Sequence, residues 1–246
     1  LTHIEDIDVI NVSSIHFDKD KNGTESIYLN DNKPYDNLFN DLWLQTEKAS
    51  VQGCTILLMV GGAGFAYKEL FSDFTTYYPL LRKLLHDKSW IRGIDLDIEE
   101  RVTIKDVKML INQLVLDFGE EFIITMAPVS ATLQNDGSSM AGFSYKDLYL
   151  STEGKHIRWF NTQCYYSFSA ETYESIIGNG YPPEKVVMGM ESGQFTEETF
   201  NNALSEVKKI KEKHPTFAGV FDWEYLNAPP NKNDPSQWAT FMKQIT

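Results

Sequence analysis

The chain has 246 residues, of which 22 are basic and 35 are acidic, giving a formal net charge of −13 at pH 7. This balance argues against nucleic acid and membrane surfaces as partners, because both attract basic side chains through their phosphates. Hydrophobic residues make up 42% of the chain, which excludes a disordered protein and predicts one large core. The length suits a single barrel domain spanning residues 1–246.

Apolar runs of strand length alternate with segments of helical spacing along the chain. The runs comprise residues 9–15, 55–60, 91–98, 122–127, 159–165, 186–190 and 217–223. This alternation predicts parallel strands joined by helical crossovers, and it favours an α/β fold of the TIM-type (β/α)8 barrel kind over an open doubly wound sheet. The polar stretches 18–37 and 227–235 are predicted to be surface loops.

The run at 91–98 contains two acidic residues, and a third follows it. Asp95, Asp97 and Glu99 alternate with aliphatic residues, so on a strand the three carboxyls share one face. In a parallel barrel helices cover the outer face, so the acidic face points into the barrel, and Glu99 lies towards the end where active sites form. Two carboxylates about 5 Å apart repel by roughly 3 kcal/mol at an effective dielectric of about 20. We therefore expect at least one acid to keep its proton near neutral pH, as general acid catalysis on an acetal requires.

Other interpretations of the acidic face remain open. The acids could be the solvated face of a half-exposed antiparallel strand, an internally paired structural cluster, or ligands of a divalent metal in a metal-dependent barrel enzyme. The metal site is disfavoured because strand spacing disperses the carboxylates and no histidine supplements them. The five histidines lack a paired spacing and are expected to be surface or capping residues: His3, His16, His86, His156 and His214.

Residues 92–99 resemble the D-G-x-D-x-D-x-E signature of family 18 glycoside hydrolases, the chitinases and endo-β-N-acetylglucosaminidases. Gly93, Asp95, Asp97 and Glu99 match the signature, and Arg92 replaces its first Asp. Because Arg92 lies at the start of the strand, remote from the catalytic end, we expect the replacement to have little effect on the chemistry.

Further segments resemble landmarks of the family in the family's order. They are Gly61 and Gly62 of the S-x-G-G strand, Met126 of the strand-end M-A-P, Gln163 and Tyr165 of the Q-x-Y element, and Trp223 at the end of the last barrel strand. Met59 replaces the Ser of the first landmark, and Tyr166 stands where the family usually has Asn or Asp.

The resemblance also predicts how the barrel begins and how deep its cleft is. Residues 1–3 and 9–17 resemble the approach to the family's second strand and that strand itself, so a first strand is not evident. Either that strand was removed or the barrel closes in an unusual way, and an open edge would expose unpaired backbone groups. Only 57 residues, 166–222, separate Tyr165 from Trp223. They leave no room for the extra α+β insertion of some chitinases, and a shallow, open groove is therefore expected.

The family likeness implies substrate-assisted retaining hydrolysis of β-1,4 linkages next to N-acetylglucosamine. Glu99 is the implied general acid and base. Asp97, which shares a proton with Asp95, is the implied partner of the substrate's acetamido N–H. Tyr165 would orient the acetamido oxygen, and Trp223 would form the apolar floor under the sugar. The other implied substrate-binding residues are Gln163, Met126, Tyr166 and Gly61.

Chitin or chito-oligosaccharides are the implied substrates, and N-glycan cores are an alternative because both present N-acetylglucosamine at the cleaved bond. A catalytically inactive carbohydrate-binding protein on the same barrel is a second alternative. It is disfavoured because such relatives typically lose the Glu that is retained here as Glu99. No cofactor or metal is implied, and the sequence does not indicate an oligomeric state. Sequons at Asn11 and Asn22 permit glycosylation but do not demonstrate secretion. The location is open, and an extracellular one is the preferred expectation.

Overall fold

The computed structural model describes residues 4–64, 66–136 and 139–246, and within them eight strands form one sheet. The strands are β1 (Val9–Lys19), β2 (Glu25–Leu29), β3 (Thr55–Gly61), β4 (Ile91–Asp97), β5 (Ile123–Met126), β6 (Ile157–Gln163), β7 (Val186–Glu191) and β8 (Gly219–Trp223). The helices are α1 (Asn40–Val51), α2 (Ala66–Ser72), α3 (Phe74–Asp87), α4 (Ile104–Phe118), α5 (Ser130–Asn135), α6 (Tyr145–Tyr149), α7 (Ala170–Gly178), α8 (Glu197–Lys213) and α9 (Ser236–Lys243).

The strand order is β2-β1-β3-β4-β5-β6-β7-β8, and every neighbouring pair is parallel except β1 and β2. Strands alternate with helices as the sequence predicts, which confirms the TIM-type architecture. Between Tyr165 and Trp223 the chain forms only α7, β7, α8 and short 3-10 turns, so the extra α+β insertion is missing there, as expected.

The barrel is open between β1 and β8. No strand pairing joins these two strands within the described residues. The residues of β8 are half-buried or exposed along its whole length, whereas those of β4 are almost all buried. An open edge, which the absence of an evident first strand allows for, is therefore present between β1 and β8. Residues 1–3, which contributed to that expectation, lie outside the described part of the chain.

The prediction of a surface loop over residues 18–37 is wrong in part. β1 continues to Lys19, and a turn at 20–24 reverses the chain into the antiparallel strand β2. The Asp20 carboxylate accepts the backbone N–H groups of Asn22 and Thr24, and Gly23 has a φ of 78°. The sequence pattern did not reveal this hairpin, because the apolar run of β2 is short and polar residues surround it.

Packing of β4 against α4 fixes which side chains face inward. Ile94 and Leu96 of β4 join the buried face of α4 in one hydrophobic core. The Thr103 hydroxyl caps the start of α4 by accepting the Asp106 N–H, and Gly119 ends the helix with a φ of 86°. Because side chains alternate along a strand, the carboxyls of β4 point into the barrel. None of the described helices is long and apolar enough to cross a membrane.

Candidate active site

Six of the residues singled out from the sequence line one cavity of about 1980 Å³ inside the barrel and at its mouth. They are Asp95, Asp97, Glu99, Gln163, Tyr165 and Trp223. The cavity also reaches Asp6 and Lys243 near the opposite end of the barrel. The cavity runs along the open seam between β1 and β8, and the shallow, open groove at the mouth stays a prediction.

Asp95 lies deepest of the three acids, and only 1% of its surface is exposed. Its Oδ1 accepts hydrogen bonds from the Thr125 hydroxyl at 2.5 Å and from Asn161 Nδ2 at 3.0 Å. The Asn11 amide approaches its Oδ2 at 3.4 Å. Burial raises the pKa of Asp95 to about 6, and the bonds from Thr125 and Asn161 oppose the rise.

Asp97 is 7% exposed and is joined to Glu99 through Gln163. Gln163 Nε2 lies 3.1 Å from Asp97 Oδ1, 3.5 Å from Glu99 Oε1 and 2.9 Å from the Ala127 carbonyl. Burial raises the pKa of Asp97 well above its ordinary value, and the charges of Glu99 and Asp95 raise it further. The raised pKa values of Asp95 and Asp97 support the expectation that at least one acid keeps its proton. These two acids are not the implied general acid, and burial contributes more than the repulsion on which the prediction rested.

Tyr165 and Trp223 complete the mouth of the cavity from β6 and β8. The turn after β6 carries Tyr165, and burial together with the charge of Asp97 raises the pKa of its phenol. The phenol therefore keeps its proton and remains a hydrogen-bond donor. Trp223 ends β8 with 41% of its surface exposed, which leaves an indole face available to a ligand.

Three other predicted residues do not line this cavity. Met126 is completely buried in the hydrophobic core, because it pairs in register with Leu96 on the opposite face of the sheet from Asp95. Tyr166 has a φ of 59° and is 87% exposed outside the cavity. Gly61 is buried behind the cavity wall, where the chain passes close to Asp97.

Gly61 has a backbone role that only glycine fits. Its φ is 99°, and an added Cβ would lie 2.1 Å from the Asp97 carbonyl oxygen and 2.6 Å from the Tyr67 ring. The next residue, Gly62, donates its N–H to the same carbonyl at 2.9 Å. Gly61 thus allows the end of β3 to pack closely against Asp97, and Gly62 rather than Gly61 lines the cavity.

Replacing Gly61 by Ala is expected to destabilise the fold strongly. Gly53 provides a matched control, since it has the same φ of 99° but no atom within 4 Å of an added Cβ. We expect Gly53→Ala to lower the free energy of unfolding by about 1 kcal/mol through backbone strain alone. Gly61→Ala should lower it by about 3 kcal/mol or more because strain and overlap add. Thermal unfolding of both variants measures the difference, and equal shifts in Tm would contradict this role of Gly61.

Sequence reasoning missed several polar residues of the cavity. Asn161 was part of a predicted strand but not recognised as a partner of Asp95. His16 was expected at the surface, yet it lines the cavity and its Nε2 lies 2.7 Å from Ser14 Oγ. Alternation along β1 places Ser14 and His16 on one face, and that was the signal available in the sequence. His3 lies outside the described residues.

No group of three or more His, Cys, Asp or Glu side chains is placed to hold a metal ion in the described ranges. Strand geometry disperses the acids, and Asp95 and Asp97 are bound by amide and hydroxyl donors. The donor set of the cavity therefore suits hydrogen bonding to a neutral ligand better than coordination of a cation.

No protein-family model and no curated protein matches the sequence. Solved structures do. A fungal endo-β-N-acetylglucosaminidase from glycosyl hydrolase family 18 is 33% identical, with 96% of this chain and 86% of that chain covered and a TM-score of 0.85. The chain belongs to glycoside hydrolase family 18. The resemblance inferred from the acidic signature is thereby confirmed.

This family 18 protein is also similar to the chitinase ChiC from Aspergillus fumigatus, at 31% identity with 96% and 87% of the two chains covered and a TM-score of 0.80. A chitinase-like agglutinin from Robinia pseudoacacia is 12% identical, with 98% and 94% covered and a TM-score of 0.63. The agglutinin likeness shows a shared fold only. This family 18 chain therefore has the fold of chitinases, of an endo-β-N-acetylglucosaminidase and of an agglutinin.

Proposed function

We propose that this family 18 protein is a glycosidase that hydrolyses β-1,4-linked N-acetylglucosamine chains, with chitin or chito-oligosaccharides as substrates. The observation that carries the proposal is the placement of Glu99 in the cavity beside the buried Asp97 and Asp95, within the same lining as Tyr165 and Trp223. This combination provides a carboxyl acid, buried carboxyls, a phenol donor and an apolar platform around one space.

In the proposed reaction the Glu99 carboxyl gives its proton to the glycosidic oxygen as the bond to the anomeric carbon breaks. The acetamido oxygen of the substrate attacks that carbon, so the enzyme supplies no nucleophile and the intermediate is an oxazolinium ion. Water then attacks the anomeric carbon, and Glu99 accepts a proton from the water. The product keeps the β configuration because two inversions occur.

Asp97 accepts the acetamido N–H and stabilises the positive charge that develops on the ring. Its buried position concentrates this effect, since charge interactions are stronger away from water. The charge of Asp95 is one cause of the raised pKa of Asp97. The likeness to family 18 implies that the two carboxyls share one proton, and with that proton on Asp95 the Asp97 carboxylate carries the charge. Tyr165 donates to the acetamido oxygen, and the sugar packs on Trp223.

Cleavage of N-glycan cores is a second candidate activity. The solved structure with 33% identity is an endo-β-N-acetylglucosaminidase, and the core of an N-glycan presents the same acetamido group. Binding without catalysis is disfavoured because the full acidic face of β4 is present and surrounded by hydrogen-bond partners.

Incubation with chitotetraose beside a high-mannose glycopeptide, followed by mass spectrometry of the products, tests the proposal. We expect chitotetraose to be cut into shorter oligosaccharides, with or without a chelator. Cleavage of the glycopeptide alone would transfer the assignment to N-glycan cores. Calorimetric binding of either glycan with no product after prolonged incubation would overturn the proposal in favour of a carbohydrate-binding protein.

A further inference from the structure

The proposed sugar floor is followed by a hydrogen-bonded junction between β7 and β8. Ser192, which follows β7 and is 4% exposed, lies with its Oγ 2.6 Å from Asp222 Oδ2 and 2.8 Å from the Glu224 carbonyl oxygen. Asp222 and Glu224 flank Trp223 in the chain. One hydroxyl therefore contacts both residues that flank Trp223 in the chain.

The number of protons at this junction determines how many of its hydrogen bonds exist at once. A serine hydroxyl donates one hydrogen bond. If the Asp222 carboxyl is ionised, Ser192 donates either to Asp222 or to the Glu224 carbonyl, but not to both. If Asp222 carries a proton on Oδ2, it donates to Ser192, and Ser192 donates onward to Glu224. Only the protonated form completes the chain of two hydrogen bonds.

Two independent features favour the protonated form. Asp222 Oδ1 is buried and has no hydrogen-bond partner among the described residues, so an ionised carboxylate would have an unsatisfied oxygen there. The pKa of Asp222 is raised to about 7, chiefly by burial and also by the charge of Glu224, while the bond with Ser192 opposes the rise. The carboxyl therefore changes its charge around neutral pH.

The charged and titratable groups around Asp222 come from four segments. Glu224 follows it on its own segment, and Glu191 of β7 pairs in register with Trp223. Tyr165 contributes a neutral phenol, since the charge of Asp222 is one cause of its raised pKa. Lys232 shares a smaller surface pocket with Glu191 and Glu224. The charge of Glu224 opposes ionisation of Asp222.

We infer that Asp222 and Ser192 are a positioning pair that holds Trp223 beneath the sugar, firmly when the carboxyl is protonated and loosely when it is ionised. This inference rests on the proposed function, because it takes Trp223 to be the sugar floor. The Glu224 carbonyl also accepts the Asn227 N–H at 3.0 Å, so ionisation loosens the segment without releasing it.

Calorimetric binding of chitotetraose to Glu99→Gln protein at about pH 5.5 and about pH 8.5, on either side of the pKa of Asp222, tests the pair. Glu99→Gln protein is the parent, and the other substitutions are made in it. Asp222→Asn keeps an N–H donor towards Ser192 at both pH values. It should bind like the parent at the lower pH and about three- to tenfold more tightly than the parent at the higher pH. Ser192→Ala removes both bonds, so it should bind about three- to tenfold more weakly than the parent at the lower pH. The difference should be smaller at the higher pH, where the parent has only one of the two bonds.

Comparison at the same pH cancels the titration of Asp95 and Asp97, which all variants share. Ser151→Ala is the matched control, because the Ser151 hydroxyl also donates to a carbonyl, that of Leu148, at 2.7 Å but away from the cavity. It should bind like the parent at both pH values. Ratios for Asp222→Asn that do not change with pH would overturn the inference.

The indole N–H resonance of Trp223, assigned with Trp223→Phe, provides a readout without sugar. In the parent it should shift with a midpoint near the pKa of Asp222, about 7, and in Asp222→Asn this transition should disappear. A resonance that does not respond in the parent would overturn the positioning pair. If the resonance titrates but the parent binds no chitotetraose, the proposed function fails while the pair stands.

Discussion

Replacing Glu99 by Gln is expected to lower kcat on chitotetraose by about 10²–10⁴-fold, the usual contribution of a general acid. The amide has the shape of the acid, and Gln163 Nε2 lies 3.5 Å from the replaced oxygen, so the fold and the affinity for the oligosaccharide should be retained. An amide has no proton of suitable acidity for the leaving oxygen. Initial rates, with binding measured by calorimetry, separate the loss of chemistry from a loss of affinity.

Glu100→Gln is the matched control for this variant. Glu100 adjoins Glu99 in the chain but is 5% exposed, and its Oε1 accepts the Tyr67 N–H at 2.6 Å. Because the Gln carbonyl accepts the same bond, turnover of Glu100→Gln should stay close to that of the wild type. Equal turnover in Glu99→Gln and Glu100→Gln would remove Glu99 from the reaction.

The acidic face of β4 could be predicted because strand periodicity is a local property. Asp95 and Asp97 lie two residues apart on β4, and Glu99 follows two residues after the strand ends. A parallel strand covered by helices leaves the acids of the strand only the barrel interior. The structure places all three in the cavity with Tyr165 and Trp223. The alternation of strands and helices was predictable for the same reason, since each element has its own hydrophobic period.

The partners of the acids could not be predicted, because they depend on the register between strands. Thr125, rather than its neighbour Met126, faces inward since it pairs with Asp95 across β4 and β5. Asn161 reaches Asp95 from β6, two strands away. Register is set by packing of the whole sheet. A motif that marks Met126 therefore identified the right strand end but the wrong face.

A second large effect is expected when the substrate lacks the acetamido group. In the proposed reaction this group is the nucleophile, held inside the substrate beside the anomeric carbon, and such placement is worth effective molarities of about 10⁵–10⁸ M. Asp97 and Tyr165, which contact the acetamido group in the proposed complex, would also have nothing to orient. No side chain of the cavity is assigned to replace the lost nucleophile.

The comparison of chitotetraose with cellotetraose tests the central claim most directly. Cellotetraose has the same β-1,4 linkages and no charge, but a hydroxyl replaces each acetamido group. With wild-type protein we expect initial hydrolysis of chitotetraose and a rate on cellotetraose lower by at least about 10³-fold. Hydrolysis of cellotetraose at a comparable rate would contradict substrate-assisted cleavage by the acidic face of β4.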